Sequence, residues 1–474
     1  MDILQSDIEN IVRQVMQQLN VETQSTRPTC SSPIGTEGIF ETMEQAIDAA
    51  SVAQKKLSQL CLDGRGTIIR AMRDVIEEHA EELAKLAVEE TGLGKVEHKI
   101  KKNLLAARKT PGLEALTPKT FTGDHGLTLV ERAPYGIIGS ITPSTNPSET
   151  IVGNGIGMIA AGNSVVFNCH PGAKSVSELT VRLLNRAITQ VGGPPNLLCM
   201  VKNPTKESAE VMMKDPRVRI LVVTGGSEIV QIAMRTSGKK VIAAGPGNPP
   251  VVVDETANIE QAAKHIVDGA SFDNNVLCIA EKVTIVVEQV ADQLISAMVR
   301  QGAFKLSPSQ LDKLMGQITV DVNGHRQVNR KYVGKDVQVI LSSIGVTVGS
   351  DVRLAMAEVP ADHPLVFLEQ LMPVMPIVRV PNVDQAIELA YQAEQGNFHT
   401  AMMHSRNVDN LSKMARRMQV SVFVKNGPSY AGLGMYGEGH NSYTIASPTG
   451  EGITTALDFS REVRCVLKDH FRIV

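Results

Sequence analysis

The chain has 474 residues, with 47 Lys and Arg against 50 Asp and Glu and a formal net charge of −3. Hydrophobic residues make up 43% and aromatic ones 3%, with no Trp. This is a globular chain with an aliphatic core, long enough for several domains at about 100–200 residues each, and the collagenous, disordered and disulfide-scaffold classes are excluded. A near-neutral balance with few aromatic stacking platforms also argues against nucleic acid as the main partner.

Residues 1–19 place Leu4, Ile8, Ile11, Val12, Val15 and Leu19 on one helical stripe, and Ser6 to Glu9 fits a capping box. The Thr-, Ser-, Pro- and Gly-rich stretch over 20–37 then reads as a flexible linker, so the helix is tethered and its apolar stripe is free for a partner surface. Residues 40–105 have helical periodicity. From there strands and helices alternate: strands are predicted over 135–142, 164–168, 197–201, 220–223 and 240–244, with helices over 147–161, 175–191, 205–214 and 227–237 between them. That alternation argues parallel βαβ units in a doubly wound domain. A second series begins with a strand over 250–253 and continues through 259–269 (helix), 282–287 (strand), 290–302 (helix) and 374–380 (strand). Segments 127–131 and 461–474 alternate apolar and charged residues in the manner of edge strands able to pair with another subunit.

The six cysteines, Cys30, Cys61, Cys169, Cys199, Cys278 and Cys465, are scattered without C-x-x-C spacing. They read as free thiols in a reducing compartment, with no metal site. The amino terminus lacks a secretory pattern, and the longest uncharged stretch, 150–173, is broken by glycines and asparagines. The expected location is therefore cytoplasmic, with no membrane contact.

Three segments are candidates for chemistry. Thr224-Gly225-Gly226-Ser227 lies between a strand and a helix, where bare N–H groups and the positive end of the helix dipole suit a pyrophosphate, although such a turn needs glycine in any case. Cys278 follows an amide-rich run, Phe272 to Asn275, at the start of a possible helical turn; it is either an activated thiol or a small core residue. Asn146, in Pro143-Ser144-Thr145-Asn146-Pro147, sits at the carboxyl end of a strand, where it is either a fixed N–H donor or a helix cap.

In their order along the chain, together with Gly245 to Asp254 (Gly-Pro-Gly-Asn-Pro-Pro-Val-Val-Val-Asp), these segments resemble the aldehyde dehydrogenase superfamily. More closely, the chain resembles the coenzyme-A-acylating branch of bacterial microcompartments. It looks most like the propionaldehyde dehydrogenases of propanediol use, with the acetaldehyde dehydrogenases of ethanolamine use a close second. The likeness runs from about residue 38 to 474 and takes in Phe423 to Ser429 and Pro448 to Gly452. It implies an α/β fold of two doubly wound domains plus a β oligomerisation arm and an N-terminal tethered helix. The implied divisions are 1–19 (targeting helix), 20–37 (linker), 38–244 (dinucleotide-binding, with arm strands at about 118–133), 245–445 (catalytic thiol) and 446–474 (return and arm).

By the same resemblance Cys278 is the nucleophile, and the Asn146 amide and the Cys278 N–H are the oxyanion donors, worth about 3–4 kcal/mol each in comparable sites. The implied cofactor is NAD, with NADP second, held by Thr224, Gly225, Gly226, Glu369, Pro171 and Thr142. The lysines that hold the adenosine ribose in the family are not obvious, because Asn168-Cys169-His170-Pro171 occupies that strand end. Hydrolytic relatives place a glutamate where this sequence has Ala243. Without that water-activating base an acyl-enzyme awaits a thiol, and coenzyme A is the expected co-substrate, with His399 on its side. The expected partners are a short-chain aldehyde, a microcompartment shell protein bound through 1–19, and a second or further copies in a homodimer or homotetramer, and the resemblance implies a location inside a bacterial microcompartment. A hydrolytic aldehyde dehydrogenase and a non-catalytic shell adaptor are the competing readings.

Overall fold

The computed structural model describes residues 37–322 and 324–474. The helix expected over 1–19 and nearly all of the linker expected over 20–37 lie outside the described residues. The described chain opens with β1 (Ile39–Phe40) and three helices, Met43–Leu57, Leu62–Thr91 and Val96–Lys109, followed by a hairpin of β2 (Lys119–Gly123) and β3 (Gly126–Pro134). Next come β4 (Ile137–Thr142), β5 (Ser164–Cys169), β6 (Leu198–Val201), β7 (Val218–Thr224) and β8 (Lys240–Ala244), with helices Pro147–Ala160, Lys174–Gln190, Lys206–Lys214 and Ser227–Thr236 in the crossovers. These strands form an all-parallel sheet in the order β1-β6-β5-β4-β7-β8.

A parallel sheet is buried on both faces, so its strands read as continuous apolar runs whose side chains alternate between two cores. In β5, Val165 and Phe167 join one core cluster and Val166 the other; in β7, Ile220 and Val222 face the first while Leu221 and Val223 face the second. Helix Met43–Leu57 covers the second face with Met43, Ala46, Ile47 and Ala50. On the opposite face lies helix Pro147–Ala160, every residue of which is buried. Its small residues allow close approach: a methyl group added at Gly157 would lie 3.1 Å from the Phe459 ring.

A second sheet contains β9 (Pro250–Val253), β10 (Val283–Val287), β11 (Ala303–Lys305), β14 (Leu354–Glu358), β15 (Val374–Val380), β16 (Thr400–His404) and β17 (Val422–Lys425), ordered β11-β14-β15-β10-β9-β16-β17 and parallel throughout. Between β11 and β14 runs a small hairpin of β12 (Thr319–Val322) and β13 (His325–Val328), and after β17 come the short β18 (Ile445–Ala446) and β19 (Gly452–Ile453). Val251, Val253, Val286, Met375 and Ile377 of this sheet belong to the same core cluster as Val165 and Phe167 of the first, so one apolar layer joins the two sheets.

Finally β20 (Ser460–Lys468) pairs antiparallel along the whole of β3, from Ser460 opposite Pro134 to Lys468 opposite Gly126, making a three-stranded sheet with β2. The strand predicted over 461–474 stops at Lys468 because its partner begins at Gly126. The helical stretch predicted over 40–105 resolves into a strand and three helices. In the first sheet β4 is the switch point: successive crossovers lead from it to β5 and β6 on one side, and β7 and β8 lie on the other. The carboxyl end of β4 is therefore where a ligand crevice is expected in an open α/β sheet.

Candidate active site

Helix Ile259–Ser271 ends at Phe272, and the chain then passes through Asp273, Asn274 and Asn275 with φ of 49°, 51° and 66°. Three consecutive left-handed residues cost about 1 kcal/mol or more apiece, which Asp and Asn tolerate better than other side chains. Their own side chains clamp the turn. Asn274 Nδ2 donates to Gly334 O (3.0 Å) and Asp336 Oδ1 (2.9 Å), and Asn275 Nδ2 to Ala270 O (2.8 Å) and Glu281 O (3.0 Å). The Asp273 carboxylate accepts from Lys95 N (2.8 Å), Lys99 Nζ (3.2 Å) and Lys102 Nζ (2.6 Å). Lys102 also pairs with Glu149 at 3.2 Å, and all four charged side chains of this cluster are essentially inaccessible. Burial works against the Asp273 carboxylate, but Lys102 and Lys99 outweigh it and hold its pKa down to about 2.

Beyond the turn, Cys278 lies in a non-helical bend with its side chain partly accessible. Its walls push the thiol up to about 12, with the Glu369 carboxylate adding to that effect. Lys282 and the backbone N–H groups of Cys278 and Ile279 act in the opposite direction. Lys282 is fully buried; its Nζ donates to Asn275 O (3.0 Å), Leu277 O (3.1 Å) and Asn275 Oδ1. Gly247 draws the rest of the site together. A methyl group there would meet His399 Cγ at 2.9 Å and Cys278 O at 3.0 Å, and its N–H donates to Glu369 Oε1 at 3.4 Å. The His399 ring is buried, with Nδ1 beside Thr400 Oγ1 (2.9 Å) and Nε2 without a partner among the described residues. Burial, reinforced by Lys282, lowers its pKa to about 4 and keeps the imidazole neutral.

Asn146 is the residue before helix Pro147–Ala160, yet its side chain does not cap it: Nδ2 donates to Thr145 Oγ1 at 3.2 Å, and the buried Oδ1 has no partner among the described residues. The adjacent carbonyl, Thr145 O, accepts from Lys99 Nζ at 2.9 Å. Lys99 thereby links the Asn146 loop to Asp273 and the Cys278 approach. Thr142 ends β4, Pro171 follows β5, and Thr224 ends β7 with its hydroxyl 2.8 Å from that of Thr444. Gly226 precedes helix Ser227–Thr236 without a side-chain cap, and a methyl group there would meet nothing within 4 Å. Open space over uncapped first-turn amides suits a pyrophosphate, so the residues present fit a dinucleotide.

The structure thus gathers Cys278, Glu369 and His399 around Gly247 and sets Thr142, Pro171 and Thr224 to Gly226 along the carboxyl edge of the first sheet. Lys282, Asp273, Lys99 and Lys102 carry no role in the sequence reading. Only Lys282 and Asp273 carry a signal in the sequence, as charges inside apolar or amide-rich runs, the clearer being Glu281-Lys282 between Ile279-Ala280 and Val283.

Removing the Asp273 charge leaves buried Lys99 without an anionic partner and Lys102 with Glu149 alone, so Asp273→Asn is expected to destabilise the fold by about 3–5 kcal/mol in urea unfolding at neutral pH. Because the folded-state pKa is depressed, the stabilisation is complete above about pH 4 and lost as pH falls towards 2. The acid limb of the wild-type stability profile in that window should flatten in the variant.

Comparison with known proteins fits this geometry. A sequence profile of the aldehyde dehydrogenase family matches residues 28–442. The chain is 49% identical over 472 residues to the acetaldehyde dehydrogenase (acetylating) EutE of Salmonella typhimurium, covering 99% of this chain and 100% of that one. Among solved structures it is similar to a propionaldehyde dehydrogenase of Rhodopseudomonas palustris with bound CoA and an acylated cysteine (TM-score 0.89, 50% identity, 91% of this chain and 98% of that). It is also similar to a propionaldehyde dehydrogenase from the fucose utilisation microcompartment of Clostridium phytofermentans (TM-score 0.90, 46% identity, 92% and 100%). With the profile spanning most of its length and near-half identity end to end, the chain belongs to the aldehyde dehydrogenase family.

Proposed function

We propose that the protein oxidises a short-chain aldehyde, propanal in preference, to its acyl-CoA with NAD+ and coenzyme A through a thioester on Cys278. The observation that carries this reading is the Cys278 thiol, favoured as thiolate by Lys282 and gathered about Gly247 with a neutral His399 whose Nε2 has no partner among the described residues. Ala243, which aligns with the glutamate of hydrolytic relatives, is fully buried in β8 with its side chain in the core under helix Met43–Leu57, on the face away from the layer that Cys278 packs against. That strand offers no base to activate water.

Cys278 first yields its proton to solvent, a loss favoured by Lys282 and the N–H groups of Cys278 and Ile279; the thiolate then adds to the aldehyde carbon, its sulfur forming the new bond while the carbonyl electron pair moves to oxygen. Asn146 Nδ2 and the Cys278 N–H donate to that oxyanion. Bound NAD+, held by Thr142, Pro171, Thr224, Gly225, Gly226 and Glu369, supplies the acceptor for the two electrons and hydrogen that leave the aldehyde carbon. What remains on Cys278 is a thioester, which exchanges with the thiolate of coenzyme A at little cost in free energy. His399 stands ready to take the incoming thiol proton on its unpartnered Nε2, being in its neutral form at any pH above about 4. We assign 38–244 to dinucleotide binding, with arm strands at about 118–133, 245–445 to the thiol chemistry, and 446–474 to the return and arm. The paired β3 and β20 would carry assembly into dimers or tetramers.

The similarity to EutE favours a second reading in which acetaldehyde is the substrate; one methylene is worth only about 1–3 kcal/mol in an apolar pocket. Initial rates across aldehydes of increasing chain length should peak at propanal on the first reading and at acetaldehyde on the second.

Steady NADH formation should require coenzyme A and fall by at least about 10³-fold in Cys278→Ser. Equal steady rates with and without coenzyme A would mark a hydrolytic enzyme instead. We further propose that residues 1–19 dock the enzyme to a microcompartment shell protein. Deleting them should leave kcat and KM unchanged in solution and abolish co-purification with shells; loss of catalysis would contradict a tether.

A further inference from the structure

The acyl-transfer reading leaves unexplained why a fully buried lysine sits four residues beyond the nucleophile. Lys282 does not form an ion pair within 4 Å among the described residues; its hydrogen bonds go to Asn275 O, Asn275 Oδ1 and Leu277 O. Two of those acceptors are backbone carbonyls of the bend that presents Cys278. Leu277 C=O and Cys278 N–H belong to one peptide group, and that group is trans. The two ends of a trans peptide point in opposite directions. A cation that fixes Leu277 O therefore aims the Cys278 N–H away from itself, and that N–H favours the thiolate. Ala280 N also donates to Leu277 O at 3.1 Å, so the carbonyl is held from two sides.

We propose that Lys282 is a positioning residue for the thiol chemistry: its buried ammonium orients and polarises the Leu277–Cys278 peptide so that the Cys278 N–H supports first the thiolate and then the oxyanion. This rests on the acyl-transfer reading for its role in turnover, but the electrostatic part stands by itself. A positive charge against a peptide oxygen makes the N–H of the same peptide a stronger donor, and at low local dielectric the effect reaches the sulfur. The other titratable groups facing this pair are Glu369, which disfavours the thiolate, Glu281, His399 and Tyr443. Glu281 is turned away onto Ser429 N and Oγ, both at 2.7 Å. Lys282 is thus the cation that opposes Glu369 at the nucleophile.

The test uses full-length Lys282→Met and Lys282→Gln. Iodoacetamide alkylation is followed against pH on the peptide containing Cys278, alongside kcat and KM for aldehyde oxidation. Loss of the charge raises the thiol pKa, so the alkylation profile should move to higher pH in both variants. kcat should fall by about 10²-fold, the scale of a lost oxyanion donor, with aldehyde KM changed less than about threefold. Folded variants that keep the wild-type alkylation profile, or that change KM alone, overturn the proposal. If Lys282→Met does not fold, Lys282→Gln, which retains a donor, decides by the same profile. If neither folds, the wild type decides: its alkylation rate should level off near pH 8, where burial places the Lys282 titration, and then rise again. A single uninterrupted rise there overturns the proposal. Alkylation needs neither aldehyde nor coenzyme A, so an enzyme that fails to make acyl-CoA would sink the proposed function without touching this result.

Discussion

Three left-handed residues in a row, Asp273, Asn274 and Asn275, are the constraint on which the site depends. An unsupported turn of this kind would relax, and the bend carrying Cys278 would move with it. What holds it is a set of buried cations: Lys99 and Lys102 on the Asp273 carboxylate, and Lys282 on the Asn275 and Leu277 carbonyls. Charges taken out of water are expensive unless their geometry is well satisfied, and here each ammonium has two or three acceptors in reach. The arrangement also spans the molecule. Lys99 and Lys102 lie on a helix that packs beneath Pro147–Ala160, so the Asp273 contacts register the Cys278 segment against the loop that bears Asn146.

The two sheets divide the remaining work. The first puts its switch point at β4 and opens an uncapped helix start beside β7, which suits a dinucleotide along its carboxyl edge. The second brings Cys278, Glu369 and His399 in from three separate connections and packs them about Gly247, where a side chain has no room. Because one apolar layer is continuous between the sheets, the carboxyl edge of the first sheet and the thiol are fixed relative to each other by core packing. Whether such a site makes a free acid or a transferred acyl group turns on which nucleophile reaches the sulfur, and β8 carries no carboxylate or imidazole to activate water.

Much of this was legible in the sequence because it is local. The β-rich runs from 137 to 253 alternate with helical periodicity, and the turns at Asn146, Gly225-Gly226 and Cys278 stand where strands end. The strands β14, β16 and β17 were not read, since segments as short as Thr400–His404 are defined by pairing with β9 and β17 and carry little periodic signal of their own. The clamp around Asp273 was invisible for a different reason. Its partners lie 171 and 174 residues away on a helix whose lysines, read alone, belong on a solvated face. Lys282 stood within four residues of the thiol, but its direction depends on a backbone bend that three positive φ angles create, and no periodicity announces those. His399 was singled out for its chemistry, while its burial against Gly247 came only from the fold.

The central claim is that oxidation leaves the acyl group on one sulfur until another thiol removes it. Mass spectrometry of the Cys278 peptide, after incubation with propanal and NAD+ in the absence of coenzyme A, tests it most directly. The account predicts one propionyl group on that peptide, discharged when coenzyme A is added. An unmodified Cys278 under conditions where NADH has formed would contradict it.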